Sequence, residues 1–140
     1  MLSLLKAIFF SKLILLTSSA IDIDDSMEIH FQEPVSAITE RARIKIDVKS
    51  MLPIKSRFND KSVTSLFPKG CISVQMFDLN DRQTIFTSFE GVSPSSSGSV
   101  YLMLYHDGSV STDTKFNRME IHTTCPLRNV KIYWDNAGGI

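Results

Sequence analysis

The sequence predicts an all-β protein, a two-layer antiparallel β-sandwich of about seven or eight strands with one disulfide bond. Alternation of apolar and polar residues with a period of two dominates the chain, whereas the periodicity of amphipathic helices is scarce. Turn-forming residues separate the alternating segments. A length of 140 residues is enough for one domain with one hydrophobic core.

Composition and charge exclude several functional classes. Hydrophobic residues make up 43% of the chain and charged residues 21%, which is typical of a globular protein rather than a disordered one. Basic and acidic residues number 15 each and are mixed along the chain. The sequence therefore predicts neither nucleic-acid binding nor a polybasic membrane patch.

The first twenty residues, MLSLLKAIFFSKLILLTSSA, differ from the rest because they are strongly apolar and contain two lysines and no acid. Small residues precede Ala20, so residues 1–20 are predicted to be a secretory signal peptide that is removed after Ala20. Residues 21–140 then form the single domain of a secreted or periplasmic protein. Lys12 interrupts the apolar run, and the alternative is an uncleaved membrane anchor, although the run is shorter than the ~20 apolar residues that span a bilayer.

The two cysteines agree with export. An even number of cysteines in an exported chain predicts a disulfide bond between Cys71 and Cys125. A pair of free thiols is the alternative. The sequence has no Cys-x-x-Cys redox motif.

Alternating segments predict the first strands. In 27–32, MEIHFQ, Met27, Ile29 and Phe31 share one face, and 42–48, ARIKIDV, repeats the pattern. Segment 71–77 pairs in a predicted hairpin with 84–89, through a turn at Asn80 and Asp81. The acidic start, with Asp22, Asp24 and Asp25 close together, is predicted to be a solvated tail. Residues 51–70 are predicted to be a long connection and a candidate binding element.

The second half of the chain continues the pattern. A serine-rich run at 93–99 is predicted to be a loop, and VYLMLY at 100–105 is apolar on both faces, as in a strand that is covered on both sides. Alternation predicts two further strands, 118–124 and 130–134. This small exported sandwich resembles immunoglobulin-like adhesive subunits in architecture, without pilin-like terminal signatures.

The tetrapeptide MEIH occurs twice and suggests a metal site. Residues two apart on a strand share a face, so Glu28 lies beside His30 and Glu120 beside His122. If the two strands were neighbours, these carboxylates and imidazoles would suit zinc or another divalent ion. The alternative interpretation is that both pairs belong to the solvated face of amphipathic strands.

Three tyrosines, Tyr101, Tyr105 and Tyr133, form a candidate interaction surface, because tyrosine is enriched at the centres of protein interfaces. Packing in the core is the alternative. No nucleophile elbow or phosphate-binding glycine loop is present, so we predict no enzymatic activity and no cofactor apart from the divalent metal. The predicted function is binding of another protein, as an inhibitor, an immunity-type partner or an accessory envelope subunit, and the alternative is a small metal- or ligand-binding protein.

Overall fold

A computed structural model describes residues 13–52, 66–88, 92–94 and 99–136, and it confirms an all-β chain with one disulfide bond. The described part contains ten strands and a short 3₁₀ helix, Lys49–Met51. The strands are β1 (Leu13–Leu15), β2 (Ile21–Ile23), β3 (Ser26–Ser36), β4 (Arg43–Asp47), β5 (Ile72–Asp78), β6 (Gln83–Ser88), β7 (Val92–Pro94), β8 (Val100–His106), β9 (Lys115–Thr123) and β10 (Leu127–Asp135). None of the described helical segments has the length and the hydrophobicity needed to cross a bilayer.

The strands form one continuous antiparallel sheet. Its order is β1-β10-β4-β8-β6-β5-β9-β3, with β2 also paired to β10 and β7 also paired to β8. Strand β8 joins the two halves of the sheet, because residues 101–104 pair with β4 whereas Tyr105 and His106 pair with β6. The predicted two-layer, immunoglobulin-like arrangement is therefore not confirmed.

The sheet curls into a half-barrel around one core. The Trp134 ring on β10 lies 5.7 Å from the rings of both Phe86 on β6 and Phe116 on β9, measured between ring centroids. These strands are far apart in the strand order, so only a curled sheet brings them together. As predicted, Val130, Ile132 and Trp134 face the same way, and all three are fully buried.

Hydrogen bonds connect the ends of two strands from opposite sides of the sheet order. The Trp134 indole N–H donates to the Ser36 carbonyl of β3 over 3.2 Å. The Asn136 side chain accepts from the Ile38 amide at 3.0 Å and donates to the same Ser36 carbonyl at 3.3 Å. These bonds hold the curl closed at one end and satisfy buried polar groups.

The disulfide bond joins Cys71, just before β5, to Cys125 in the turn between β9 and β10. The Cα atoms are 5.6 Å apart, and the Thr124 amide donates to the Cys71 carbonyl over 2.8 Å. The predicted pairing of the two cysteines is confirmed.

Most predicted strands are present, with differences at the ends of the chain and in the loops. The predicted hairpin is the β5–β6 pair, and Asp81 in its turn has a positive φ of 61°. The acidic start is not a solvated tail, because it contains β2, and the predicted loop at 93–99 contains part of β7. Most of the predicted long connection, residues 53–65, lies outside the described residues.

The predicted signal peptide includes β1, which pairs with β10. Leu16 and Thr17, immediately after β1, are buried at 7% and 4% exposure. Removal of residues 1–20 stays a prediction.

Candidate functional site

The three candidate tyrosines come together on the outer face of β4, β8 and β10. The inner face of β4 presents the fully buried Ile44 and Ile46, so Arg43 and Lys45 point outward. In the register of the sheet, Lys45 lies opposite Tyr133 of β10 on one side and Met103 of β8 on the other. We call Tyr101, Tyr105, Tyr133, Arg43 and Lys45 the tyrosine face.

Cations and aromatic rings alternate across this face. The rings of Tyr101 and Tyr133 meet edge to face, with centroids 5.9 Å apart. The Lys45 ammonium lies 5.2 Å from the Tyr101 centroid, and the Arg43 guanidinium lies 5.7 Å from that of Tyr105. Both distances allow a cation–π interaction, which fixes the rings in place.

Asp135, which is only 1% exposed, is the counter-ion that the two cations share. Its carboxylate accepts a hydrogen bond from Arg43 Nε at 2.8 Å and lies 3.2 Å from Lys45 Nζ. Arg43 also donates to the Tyr105 hydroxyl over 3.0 Å. Burial alone lowers the pKa of Arg43, but the hydrogen bond to Asp135 and its charge outweigh burial and raise the pKa above its ordinary value.

The tyrosines differ in exposure. Tyr101 is buried, whereas Tyr105 and Tyr133 are half-buried. Burial raises the pKa of the Tyr133 phenol, with smaller contributions from Tyr101 and from the Asp47 carboxylate. On β1, Leu15 lies opposite Tyr133 and is 43% exposed, so the face continues into exposed apolar surface.

The second candidate site, formed by the two MEIH segments, is assembled by the pairing of β3 with β9. Glu28 lies directly opposite Glu120 in the register. The imidazole Nε2 of His30 is 3.0 Å from the Glu28 carboxylate, and that of His122 is 3.8 Å from the Glu120 carboxylate. The strand adjacency that the metal hypothesis requires is therefore present.

Arg118 lies between the two glutamates and was not among the predicted site residues. Its guanidinium is 3.6 Å from both Glu28 and Glu120 and 3.1 Å from Asp81, and it stacks 3.8 Å above the Phe77 ring. Among the described residues, no group of three or more His, Cys, Asp or Glu side chains is placed to hold a metal ion. Alternation in RMEIHTT could have revealed Arg118, because it puts Arg118 on the same face as Glu120 and His122.

A cavity of about 490 Å³ separates the two strands at the ends of the sheet order, β1 and β3. Residues 14–18 form one wall, and the other is formed by 29–33 together with Val35. The lining is mixed, with Leu16 and Phe31 beside polar residues such as Gln32. The seam between β1 and β3 is therefore open where this cavity lies.

Comparison with known proteins found no family model that matches the chain and no matching curated protein.

Proposed function

We propose that the chain is an exported, non-enzymatic β protein that binds another protein. The observation that supports this proposal best is the tyrosine face. Aromatic residues and arginine are enriched where protein interfaces are most buried, and here they are fixed on a rigid sheet rather than on a loop. A fixed arrangement loses little conformational entropy on binding.

Charge on the face favours a partner with acidic groups. Lys131 lies beside Asp47 in the register, next to the row that holds Lys45 and Tyr133. The described cations of this surface, Arg43, Lys45 and Lys131, outnumber the carboxylates of Asp47 and Asp135. Complementary charge would increase the rate of association and help to select the partner.

The disulfide bond is consistent with an oxidising compartment, and we place the protein outside the cell or in the periplasm. An inhibitor, an immunity-type partner or an accessory envelope subunit would each use such a surface. We further propose that the two halves of the curled sheet act as two layers of an immunoglobulin-like sandwich, with the contacts of Trp134 to Phe86 and Phe116 between them.

Capture with matched variants tests the binding proposal. The protein is immobilised and exposed to an extract of the cells that make it, including their envelope and medium. A captured protein is identified by mass spectrometry, and its affinity is measured with both proteins purified. We expect Tyr105→Ala and Tyr133→Ala each to weaken binding on the order of tenfold. Ile85→Ala, an exposed apolar residue of β6, is the control. Equal affinity for all variants would refute a role for the tyrosine face.

The mass of the protein recovered from its producing cells tests export. A chain that begins at Ile21 and is found outside the cytosol supports the proposal. A chain that begins at Met1 and sediments with membranes supports the uncleaved anchor instead.

A second candidate function is binding of a divalent metal by Glu28, His30, Glu120 and His122. Their convergence on adjacent strands supports it, and Arg118 opposes it by occupying the space between the carboxylates. Titration of the metal-free protein with zinc, followed by calorimetry, decides the question. The site would be established if zinc binds to the wild type and the substitution His122→Ala abolishes this binding. If the wild type gives no heat of binding, the metal proposal is refuted.

A further inference from the structure

Strand β1 shows which kind of segment the edge of β10 accepts. Its three residues pair antiparallel with Tyr133–Asp135, and the next residue, Leu16, donates its amide proton to the Ile132 carbonyl over 2.8 Å. Ile14 packs against the core and Leu16 is buried, whereas Leu13 and Leu15 are exposed. The edge therefore accepts an extended segment with apolar side chains at alternate positions.

Backbone pairing along only one edge connects β1 to the sheet. Within the described residues β1 pairs with β10 alone, through three residue pairs, and its other side faces the 490 Å³ cavity toward β3. A strand this short, paired along one edge, contributes few hydrogen bonds and can be exchanged for another segment.

The predicted cleavage site lies between two strands that pair with successive parts of β10. β1 ends at Leu15 and β2 begins at Ile21, immediately after Ala20. β2 pairs with β10 through Leu127 and Val130, which lie before the residues of β10 that pair with β1. Cleavage after Ala20 would therefore leave β2 in place and remove the covalent attachment of β1.

We propose that the edge of β10 covered by β1 is a docking site for an extended apolar segment of a partner protein, which pairs antiparallel with β10 once residues 1–20 have been removed. This inference rests on the proposed function, and it assigns the partner segment the chemistry of β1: apolar side chains at the positions of Ile14 and Leu16. Addition of a strand to an open sheet edge obtains affinity from backbone hydrogen bonds and specificity from alternate side chains.

The inference can be tested by cutting the full chain between β1 and β2. For this purpose, a recognition site for a sequence-specific protease is inserted after Ser19. The modified chain is made by oxidative cell-free synthesis, which lacks signal peptidase, and is purified folded before it is cut. The synthetic peptide SKLILLTS, which is residues 11–18, is then added. Trp134 is the only tryptophan of the chain, is fully buried and lies opposite Ile14, so its fluorescence reports whether the β10 edge is covered.

We expect cutting and removal of the N-terminal fragment to shift Trp134 emission to longer wavelength and the peptide to reverse the shift. Uncut protein should not take up the peptide, because β1 occupies the edge. A peptide with aspartate at both inward positions, Ile14→Asp and Leu16→Asp, should bind more weakly, on the order of tenfold or more. A peptide with aspartate at both outward positions, Leu13→Asp and Leu15→Asp, is the matched control and should bind as the unchanged peptide does.

The inference would be overturned by no uptake by the cut protein, by equal uptake by the uncut protein, or by equal weakening from the inward and outward pairs of changes. If cutting unfolds the protein, the peptide must restore the circular dichroism spectrum, and failure to do so also overturns it. If the cut protein forms dimers that the peptide dissociates, the segment that docks on β10 comes from a second copy of this chain. That result would refute the assignment of the docking segment to a different protein.

The two proposals fail separately. Uptake of the peptide without capture of any cellular partner would refute the proposed function and leave the edge site intact. Capture of a partner whose affinity depends on Tyr133 but is unaffected by the peptide would refute the edge site alone.

Discussion

Asp135 is the residue on which the order of the tyrosine face depends. It is nearly inaccessible to solvent, and two cations from β4 converge on its carboxylate. One of them, Arg43, also holds the hydroxyl of Tyr105. A single buried anion therefore fixes both the charge and the geometry of the surface that we propose binds a partner.

Replacing Asp135 with alanine should lower the free energy of unfolding by about 2–3 kcal/mol, because Arg43 and Lys45 would lose their shared counter-ion in a partly buried place. Urea denaturation followed by circular dichroism measures the change. Asp113→Ala, at an exposed loop position, is the control and should change stability little. Equal effects of the two substitutions would contradict the importance of the buried carboxylate.

Tyr133 should ionise above the ordinary pKa of tyrosine, since burial, Tyr101 and Asp47 all raise its pKa. In the unfolded chain the phenol ionises near its ordinary pKa of ~10. The protonated phenol therefore contributes stability below that pH, and this contribution is lost as pH rises through the folded pKa. Absorbance at 295 nm should show a late ionisation that is missing in Tyr133→Phe. An unchanged titration curve in that variant would contradict the assignment.

At the scale of elements, local pattern predicted most strands and the hairpin, but not which strands pair at long range. Alternation in ARIKIDV is enough to identify β4, whereas its pairing with β10 depends on residues almost ninety positions away. The three-residue strands β1, β2 and β7 were missed because each is too short for a period of two to be visible. β1 also lies in a segment whose apolar composition indicates a signal peptide.

The candidate sites, too, could be predicted from the sequence only as far as local pattern allows. Spacing of four puts Tyr101 and Tyr105 on one face of β8, which the sequence shows directly. Tyr133 joins them only because β4 lies between β8 and β10. Arg118 shares a face with Glu120 within β9, but it reaches Glu28 only because β9 pairs with β3. Side-chain direction could be predicted from the sequence, whereas convergence needed the sheet order.

The disulfide bond should stabilise the connection between β5 and the β9–β10 turn. The cysteines are separated by 54 positions in the sequence. On the chain-entropy model, loss of the cross-link in the double variant Cys71→Ser, Cys125→Ser should lower the free energy of unfolding by about 4 kcal/mol. Urea denaturation of wild type and double variant measures this difference. Reduction of the wild type should reproduce the effect, and no added effect of reductant is expected in the double variant. Equal stability of the oxidised and reduced wild type would contradict the prediction.

At the scale of the whole molecule, Trp134 holds the two halves of the curled sheet together. It contacts aromatic rings of β6 and β9, and its indole N–H donates to β3. The same curl leaves the seam between β1 and β3 open. One side chain thus contributes both to the common core and to the closure of the half-barrel at one end.

Trp134→Ala should lower the free energy of unfolding by about 3–5 kcal/mol, because it leaves a large cavity and removes the indole hydrogen bond to the Ser36 carbonyl, which then keeps the bond from Asn136. Circular dichroism during urea denaturation is the measurement, since the substitution removes the tryptophan signal. Leu79→Ala, at a position that is 58% exposed, is the control. A loss no larger than that of the control would show that the two halves of the sheet are stable without this contact.

The position of β10 in the chain also affects how the protein can be made. β1, β2 and β4 all pair with it, although about eighty or more residues separate each of them from their partner. During synthesis these three strands must wait for almost the whole polypeptide to emerge before they find their neighbour. Long-range pairing of this kind slows folding. These strands should therefore remain unpaired with β10 until synthesis is almost complete, a state that a translocation channel can accept and that a chaperone must protect.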